Sequence, residues 1–286
     1  MVNLTGGYGA ALREAISVLQ TPHPDRFVVF TEPAYSKAAS PDHAKYQADQ
    51  IEVAHKDGAR GLKVLKILGL YLREQNTQGK LVKVDDPRFD LMREAAARRR
   101  CRWGSTLRIR LLFSNPSTAS TSGGKNCTII PTGHSTVRIF RPTANCRKRA
   151  AASCTHFVCL HCAESEDLAD VSECLDSHPN MYVDIAARIG ELGRQPRASR
   201  KFFDKYQGRI VFGTGATPKA TNFPQQVFEE SLDEIYYRFL EREDEYFDYS
   251  TAKVPPQGQW RIFGLGLSDA VLHKVYWQNA ARLLNL

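Results

Sequence analysis

The stretch HFVCLHCAESEDLADVSECLDSHPNMYVDIA, residues 156–186, decides the fold class. It begins with a short apolar run at 156–161 and ends with a second one at 181–186. Between them, residues 164–175 predict a helix. Its acidic side chains lie near the N-terminus, where negative charge interacts favourably with the helix dipole. A strand, a helix and a second strand in this order form a βαβ unit, so the two strands are expected to be parallel.

The same alternation continues on both sides of that stretch. In the first half of the chain, short apolar runs at 27–30 and 59–66 predict two more buried strands. Further elements are predicted as a strand at 209–213 and helices at 43–56, 85–97, 197–206, 223–246 and 269–284. Such a pattern predicts an α/β protein with a parallel sheet. In a closed barrel of this kind the chemistry lies where strands end, so His161, Asp184 and Gly215 are the positions to inspect.

The composition changes abruptly in one segment. Residues 95–163 carry 12 of the 39 Lys and Arg residues but none of the 31 Asp and Glu residues. The same residues hold six of the seven cysteines. The net charge of +8 therefore belongs to this segment, because acidic residues outnumber basic ones in the rest of the chain.

Three interpretations of the segment 95–154 remain open. It is a disordered basic arm that binds nucleic acid, a real insertion of unknown fold, or an out-of-frame translation. Out-of-frame translation is favoured, since the alternation of helices and strands stops at one end of the segment and resumes at the other. We expect the segment to be disordered and nucleic acid not to be a partner.

The overall composition favours a globular protein that binds a small molecule. Hydrophobic residues make up 42% of the chain and charged residues 24%, which is ordinary for a soluble domain. No apolar run approaches the roughly 18 residues of a membrane span, so no membrane partner is expected. Residues 1–9 lack the features of a signal peptide, which predicts a cytoplasmic protein. The odd number of cysteines and their irregular spacing predict reduced thiols.

Several motifs, in order along the chain, carry a family resemblance. GLKVLKILG at 61–69 and DDPRF at 85–89 occur in the first part, and HPNMYVDIAAR at 178–188 and RIVFGT at 209–214 occur in the second. Together with the ending, KVY at 274–276 and NAARLL at 279–284, they resemble the amidohydrolase-related branch of the amidohydrolase superfamily. The similarity covers residues 1–94 and 155–286.

The resemblance implies a (β/α)₈ TIM barrel that binds one or two divalent metals, zinc above all, at the carboxyl ends of its strands. The family ligands are a His-x-His on strand one, histidines after strands five and six, and an aspartate after strand eight. Strand one would precede Met1, and the strand-five histidine would fall within 95–153, where His134 is the one histidine. His161 matches the strand-six metal ligand, whereas Gly215 occupies the place of the aspartate.

The resulting expectation is an incomplete barrel with strands one and five missing or replaced. Residues 1–94 would form its first part, 95–154 a basic segment, and 155–286 its second part with C-terminal helices. The implied function is a metal-dependent hydrolase, or a decarboxylase, that is impaired in this chain. The alternatives are a non-catalytic barrel remnant or binding protein, and nucleic-acid binding through residues 98–149.

Two further residues are candidates for substrate binding. Asp184 lies near a strand end, where it serves a substrate, a metal ligand or a structural hydrogen bond. Arg188 follows on the next loop and faces either an anionic substrate or solvent. Cys159 and Cys162 flank His161 as Cys-x-x-Cys, and we interpret them as ordinary strand cysteines, because no second pair lies at a matching distance.

Overall fold

The structure is a computed structural model, and it describes residues 1–35, 40–64, 72–75, 78–82, 86–99, 102–105, 156–163, 165–217 and 226–286. The described residues fall into two compact units. Unit 1 comprises those up to Ser105 together with 156–159, and unit 2 comprises those from Leu160 onward.

Unit 1 alternates strands and helices. In chain order its elements are β1 (Val2–Asn3), α1 (Ala10–Ala15), β2 (Val28–Thr31), α2 (His43–Asp57), β3 (Gly61–Val64), β4 (Arg73–Gln75), β5 (Gln78–Leu81), α3 (Asp90–Arg98), β6 (Arg102–Ser105) and β7 (Phe157–Cys159). Strands β1, β2, β3, β6 and β7 lie side by side in that order, and each pair is parallel. Strands β4 and β5 form a separate antiparallel hairpin. The parallel sheet predicted from the sequence is therefore confirmed in this unit.

Strand β6 fills a place where a strand was expected to be missing or replaced. It pairs with β3 from Gly61 to Val64 and with β7 from Phe157 to Cys159. Backbone groups alone make these ladder bonds, so even an atypical sequence can pair with β3 and β7 on the sides that face it. A strand is thus present at Arg102–Ser105, and the incomplete barrel, with strands one and five missing or replaced, stays a prediction. Residues 106–155, including His134, lie outside the described residues, so the disorder of that segment stays a prediction.

One buried apolar cluster of unit 1 lies between β3 and the helices α2 and α3. Its buried apolar side chains are Ile51, Leu62, Val64, Leu72, Val82, Phe89, Met92, Ala95 and Ala96. Helix α2 ends at Asp57 and is capped by Gly58, whose φ of 111° suits a glycine. A Cβ on Gly61 would lie 2.4 Å from the Phe30 ring, so this ring occupies the space that a side chain at position 61 would need.

Unit 2 is built from one pair of parallel strands and a series of helices. In chain order its elements are α4 (Leu168–Ser177), β8 (Met181–Asp184), α5 (Ile189–Leu192), α6 (Pro196–Tyr206), β9 (Ile210–Val211), α7 (Glu230–Glu241), α8 (Asp269–His273) and α9 (Asn279–Leu284). Strands β8 and β9 pair with Asp184 opposite Val211, which brings their carboxyl ends to one edge. None of the helices in these described parts of the chain is long and apolar enough to cross a bilayer.

Candidate active site

Three positions singled out from the sequence lie together in unit 2. Asp184 is the last residue of β8, and Gly215 follows β9 by four residues. A Cβ built on Gly215 would lie 3.8 Å from Cε1 of His161, and one on Gly213 would lie 3.8 Å from Oδ2 of Asp184. The prediction that the carboxyl ends of the strands gather these residues is thus consistent with the geometry of the unit.

The backbone at His161 takes an uncommon conformation. The predicted strand 156–161 ends earlier, at Cys159, and the chain then turns through three left-handed residues. His161, Cys162 and Ala163 have φ angles of 57°, 49° and 57°. Each such residue other than glycine costs roughly 1–2 kcal/mol, so other contacts must stabilise the turn.

Asp184 provides one of these contacts. Its side chain is buried, with 5% of its surface exposed. Oδ1 accepts hydrogen bonds from the backbone N–H of His161 at 2.5 Å and from that of Ala186 at 3.3 Å. A carboxylate that accepts backbone N–H groups is stabilised in its charged form. Asp184 therefore joins the turn after β7 to the loop after β8.

The imidazole of His161 is oriented by the same loop. Its Nδ1 lies 2.8 Å from the carbonyl oxygen of Ala186. Because a carbonyl oxygen can only accept, Nδ1 is the nitrogen that carries the proton in the neutral ring. Nε2 then keeps a lone pair, and within the described residues nothing forms a hydrogen bond to it.

Arg188 holds the turn from its carbonyl side. Its Nε donates to the backbone oxygen of His161 at 3.1 Å, and its Nη1 donates to Oε1 of Glu191 at 3.0 Å. Glu191 is buried, with 6% of its surface exposed, and this burial raises the pKa of its carboxyl although Arg188 acts in the opposite direction. The guanidinium is thus engaged by the protein itself, and the substrate role predicted for Asp184 and Arg188 stays a prediction.

Tyr236 is a further residue of this site that the sequence did not single out. Its fully buried hydroxyl accepts the backbone N–H of Ala187 at 2.9 Å and donates to the carbonyl oxygen of Thr214 at 3.2 Å. Burial raises the pKa of this phenol well above its usual value, so it remains a neutral donor. The helical spacing of α7 marks Tyr236 as a core residue, but no sequence pattern shows where its hydroxyl points.

The described residues do not by themselves fit a resident divalent metal. Within the described ranges, no three His, Cys, Asp or Glu side chains lie close enough together to hold an ion. A catalytic zinc site normally uses three protein ligands, and Gly215 has no side chain to contribute. His161 remains as one candidate ligand.

Comparison with known proteins assigns the family. A family model named Amidohydrolase matches residues 133–286, which is more than half of the chain. The chain belongs to the amidohydrolase family. No curated protein matches this amidohydrolase-family chain.

Solved structures support the α/β fold of this amidohydrolase-family chain. A 2,6-dihydroxybenzoate decarboxylase in complex with 2,6-dihydroxybenzoate is similar with a TM-score of 0.52 and 12% identity, covering 96% of this chain and 75% of the other. An uncharacterised TIM-barrel protein from Bordetella bronchiseptica has a TM-score of 0.50 and 12% identity, covering 96% and 72%. A 5-carboxyvanillate decarboxylase from Novosphingobium aromaticivorans, with bound manganese and a nitrobenzoic acid, has a TM-score of 0.51 and 11% identity, covering 96% and 70%. At these identities the likeness shows the fold alone.

Proposed function

We propose that this chain is an amidohydrolase-type protein of the metal-dependent hydrolase and decarboxylase class, and that its activity is impaired. The observation that carries the proposal is the meeting of His161 with Gly215 at the carboxyl end of the strands. The first matches a family ligand, and the second stands where the family aspartate would be. At this position a hydrogen atom stands in place of the family's carboxylate.

The chain's own residues offer too few groups for metal-dependent catalysis. A bound divalent ion in this family would supply an activated water or polarise a carboxylate. Here His161 offers one imidazole nitrogen, and Asp184 is occupied with backbone N–H groups. These residues alone do not retain an ion. Zinc as the natural metal stays a prediction, since a similar structure contains manganese instead.

Restoring the missing carboxylate tests the proposal. In Gly215→Asp the new side chain would start 3.8 Å from Cε1 of His161, and aspartate tolerates the φ of 72° at this position better than most residues. We expect the variant to bind Zn²⁺ or Mn²⁺ at least about tenfold more tightly than the natural chain, because a charged ligand is added. Calorimetric titration of the full chain measures the change.

The matched control is Gly215→Asn, which has the same shape but a neutral amide. It should leave metal affinity nearly unchanged. Release of CO₂ from 2,6-dihydroxybenzoate, with and without metal, measures activity in all three proteins. Fast metal-dependent turnover by the natural chain would contradict the impairment, and no gain in Gly215→Asp would favour the non-catalytic remnant.

Nucleic-acid binding through residues 98–149 remains a separate prediction. At the start of this segment, Arg98 and Arg99 both contact Glu52 of α2, at 3.6 Å and 2.5 Å. These two cations are thus partly neutralised within unit 1. Salt-dependent binding to duplex DNA that is lost when residues 106–149 are deleted would support this function instead.

A further inference from the structure

The contacts of Asp184 and Arg188 point to a role that the family resemblance does not assign to them. We propose that both are positioning residues, which hold His161 with Nδ1 protonated and Nε2 as its one open nitrogen. The inference rests on the proposed function, because it explains how the retained ligand keeps its orientation. Its test measures the ring itself and does not depend on activity.

The first argument is the number of fixed atoms. The backbone N–H of His161 is held by Asp184, its backbone oxygen by Arg188 and its Nδ1 by the carbonyl of Ala186. These three partners lie 23, 27 and 25 residues further along the chain. Bonds so distant in sequence are tertiary contacts, and together they leave Nε2 as the polar atom of His161 without a partner among the described residues.

The second argument is the way in which Asp184 couples these bonds. The same carboxylate oxygen accepts from the His161 amide and from the Ala186 amide, while the carbonyl of Ala186 receives the ring Nδ1–H. Asp184 therefore fixes both the residue that carries the imidazole and the residue that orients it. Three successive left-handed residues persist only where the surroundings over-determine them, and this carboxylate supplies such a constraint.

The third argument is that Arg188 is itself held in place. Its Nη1 donates to Glu191, which is almost fully buried on α5. A guanidinium fixed at one end presents its Nε in a defined direction, here toward the His161 carbonyl. The arginine therefore supports the turn from the side opposite to Asp184.

The tautomer of His161 tests the proposal directly. Nitrogen-15 NMR of the metal-free full chain, with His161 assigned by comparison with His161→Gln, distinguishes Nδ1–H from Nε2–H. We expect about a tenfold excess of Nδ1–H in the natural chain, the ratio that one ordinary hydrogen bond provides. Asp184→Asn keeps an accepting oxygen and should keep the excess, whereas Asp184→Ala should lose it. Asp248→Ala, which removes a carboxylate from a side chain that is 70% exposed, should change nothing.

The opposite results overturn the inference. A predominant Nε2–H tautomer in the natural chain would refute it, as would an unchanged ratio in folded Asp184→Ala. If Asp184→Ala does not fold, Arg188→Met decides, since it removes the Nε donor from a side chain that is 21% exposed. A reduced excess in that variant supports the proposal and an unchanged one contradicts it. Fast metal-dependent activity of the natural chain would count against the proposed function and would leave the tautomer result standing.

Discussion

The core of unit 1 and the His161 turn of unit 2 are stabilised in different ways. Beneath α2 and α3, apolar side chains such as Phe89 and Met92 are fully buried and pack against one another. At the turn, the backbone N–H of His161 donates to Asp184 and its carbonyl accepts from Arg188, and these bonds hold an unfavourable backbone conformation. Burial of apolar surface is non-directional, so the first region tolerates small changes of position, whereas the second depends on individual atoms.

The difference explains what each region can be used for. A packed core provides stability, and it leaves no polar atom available for chemistry. A strained turn held by polar groups can present one chosen nitrogen, and it contributes little stability of its own. Substitutions in the two regions should therefore differ in size and in what they change.

The largest effect is expected in the apolar core. Phe89→Ala should lower the free energy of unfolding by about 3–5 kcal/mol, because it removes a fully buried ring and leaves a cavity. Chemical denaturation measures the loss. Leu91→Ala, two residues further along in α3, is the control, since Leu91 is 44% exposed, and it should stay within about 0.5 kcal/mol of the natural chain. Equal losses of unfolding free energy in both variants would show that the buried side of this segment has been assigned wrongly.

An intermediate effect is expected for one hydroxyl in unit 2. Tyr236→Phe should cost about 1–3 kcal/mol, because the N–H of Ala187 and the carbonyl of Thr214 each lose one hydrogen bond of about 0.5–1.5 kcal/mol and keep the one that joins them at 3.1 Å. Tyr237→Phe, at the adjacent and 43% exposed tyrosine, should cost nearly nothing. Denaturation of the two variants side by side gives the comparison. A similar stability for both would mean that the polar contacts between the loops after β8 and β9 contribute little.

The smallest effect concerns a left-handed residue in unit 1. Gly58→Ala should cost about 1 kcal/mol, because its φ of 111° disfavours any side chain. Gly208→Ala is the control, as its φ is not left-handed and its Cβ would have one neighbour, Arg282 at 3.8 Å. Thermal melting of both variants reports the difference. If Gly58→Ala is neutral, a left-handed conformation carries little strain in this protein, and the argument for constraint at His161 weakens.

Most of the fold could be predicted from the sequence, because apolar periodicity and glycine or proline boundaries mark the elements. The predicted helix 43–56 is His43–Asp57 in the structure, and the predicted strand 181–186 is Met181–Asp184. The strand at Arg102–Ser105 was not foreseen, since its pairing depends on backbone groups and its sequence shows no alternation.

The candidate site was predicted only in part. His161, Asp184 and Gly215 could be placed from their positions at strand ends and from the family motifs. The left-handed turn could not, because three non-glycine residues in that conformation follow from tertiary hydrogen bonds and leave no local signal. For the same reason the hydroxyl of Tyr236 was missed, as its partners lie 22 and 49 residues away.

The metal content of the purified full chain tests the central claim most directly. After dialysis against a mild chelator, elemental analysis of the natural chain and of His161→Ala should find far less than one divalent ion per chain in both. A single imidazole does not retain an ion that normally requires three ligands. One tightly held equivalent of zinc or manganese in the natural chain would contradict the account, and its loss in His161→Ala would show that His161 still belongs to a complete metal site.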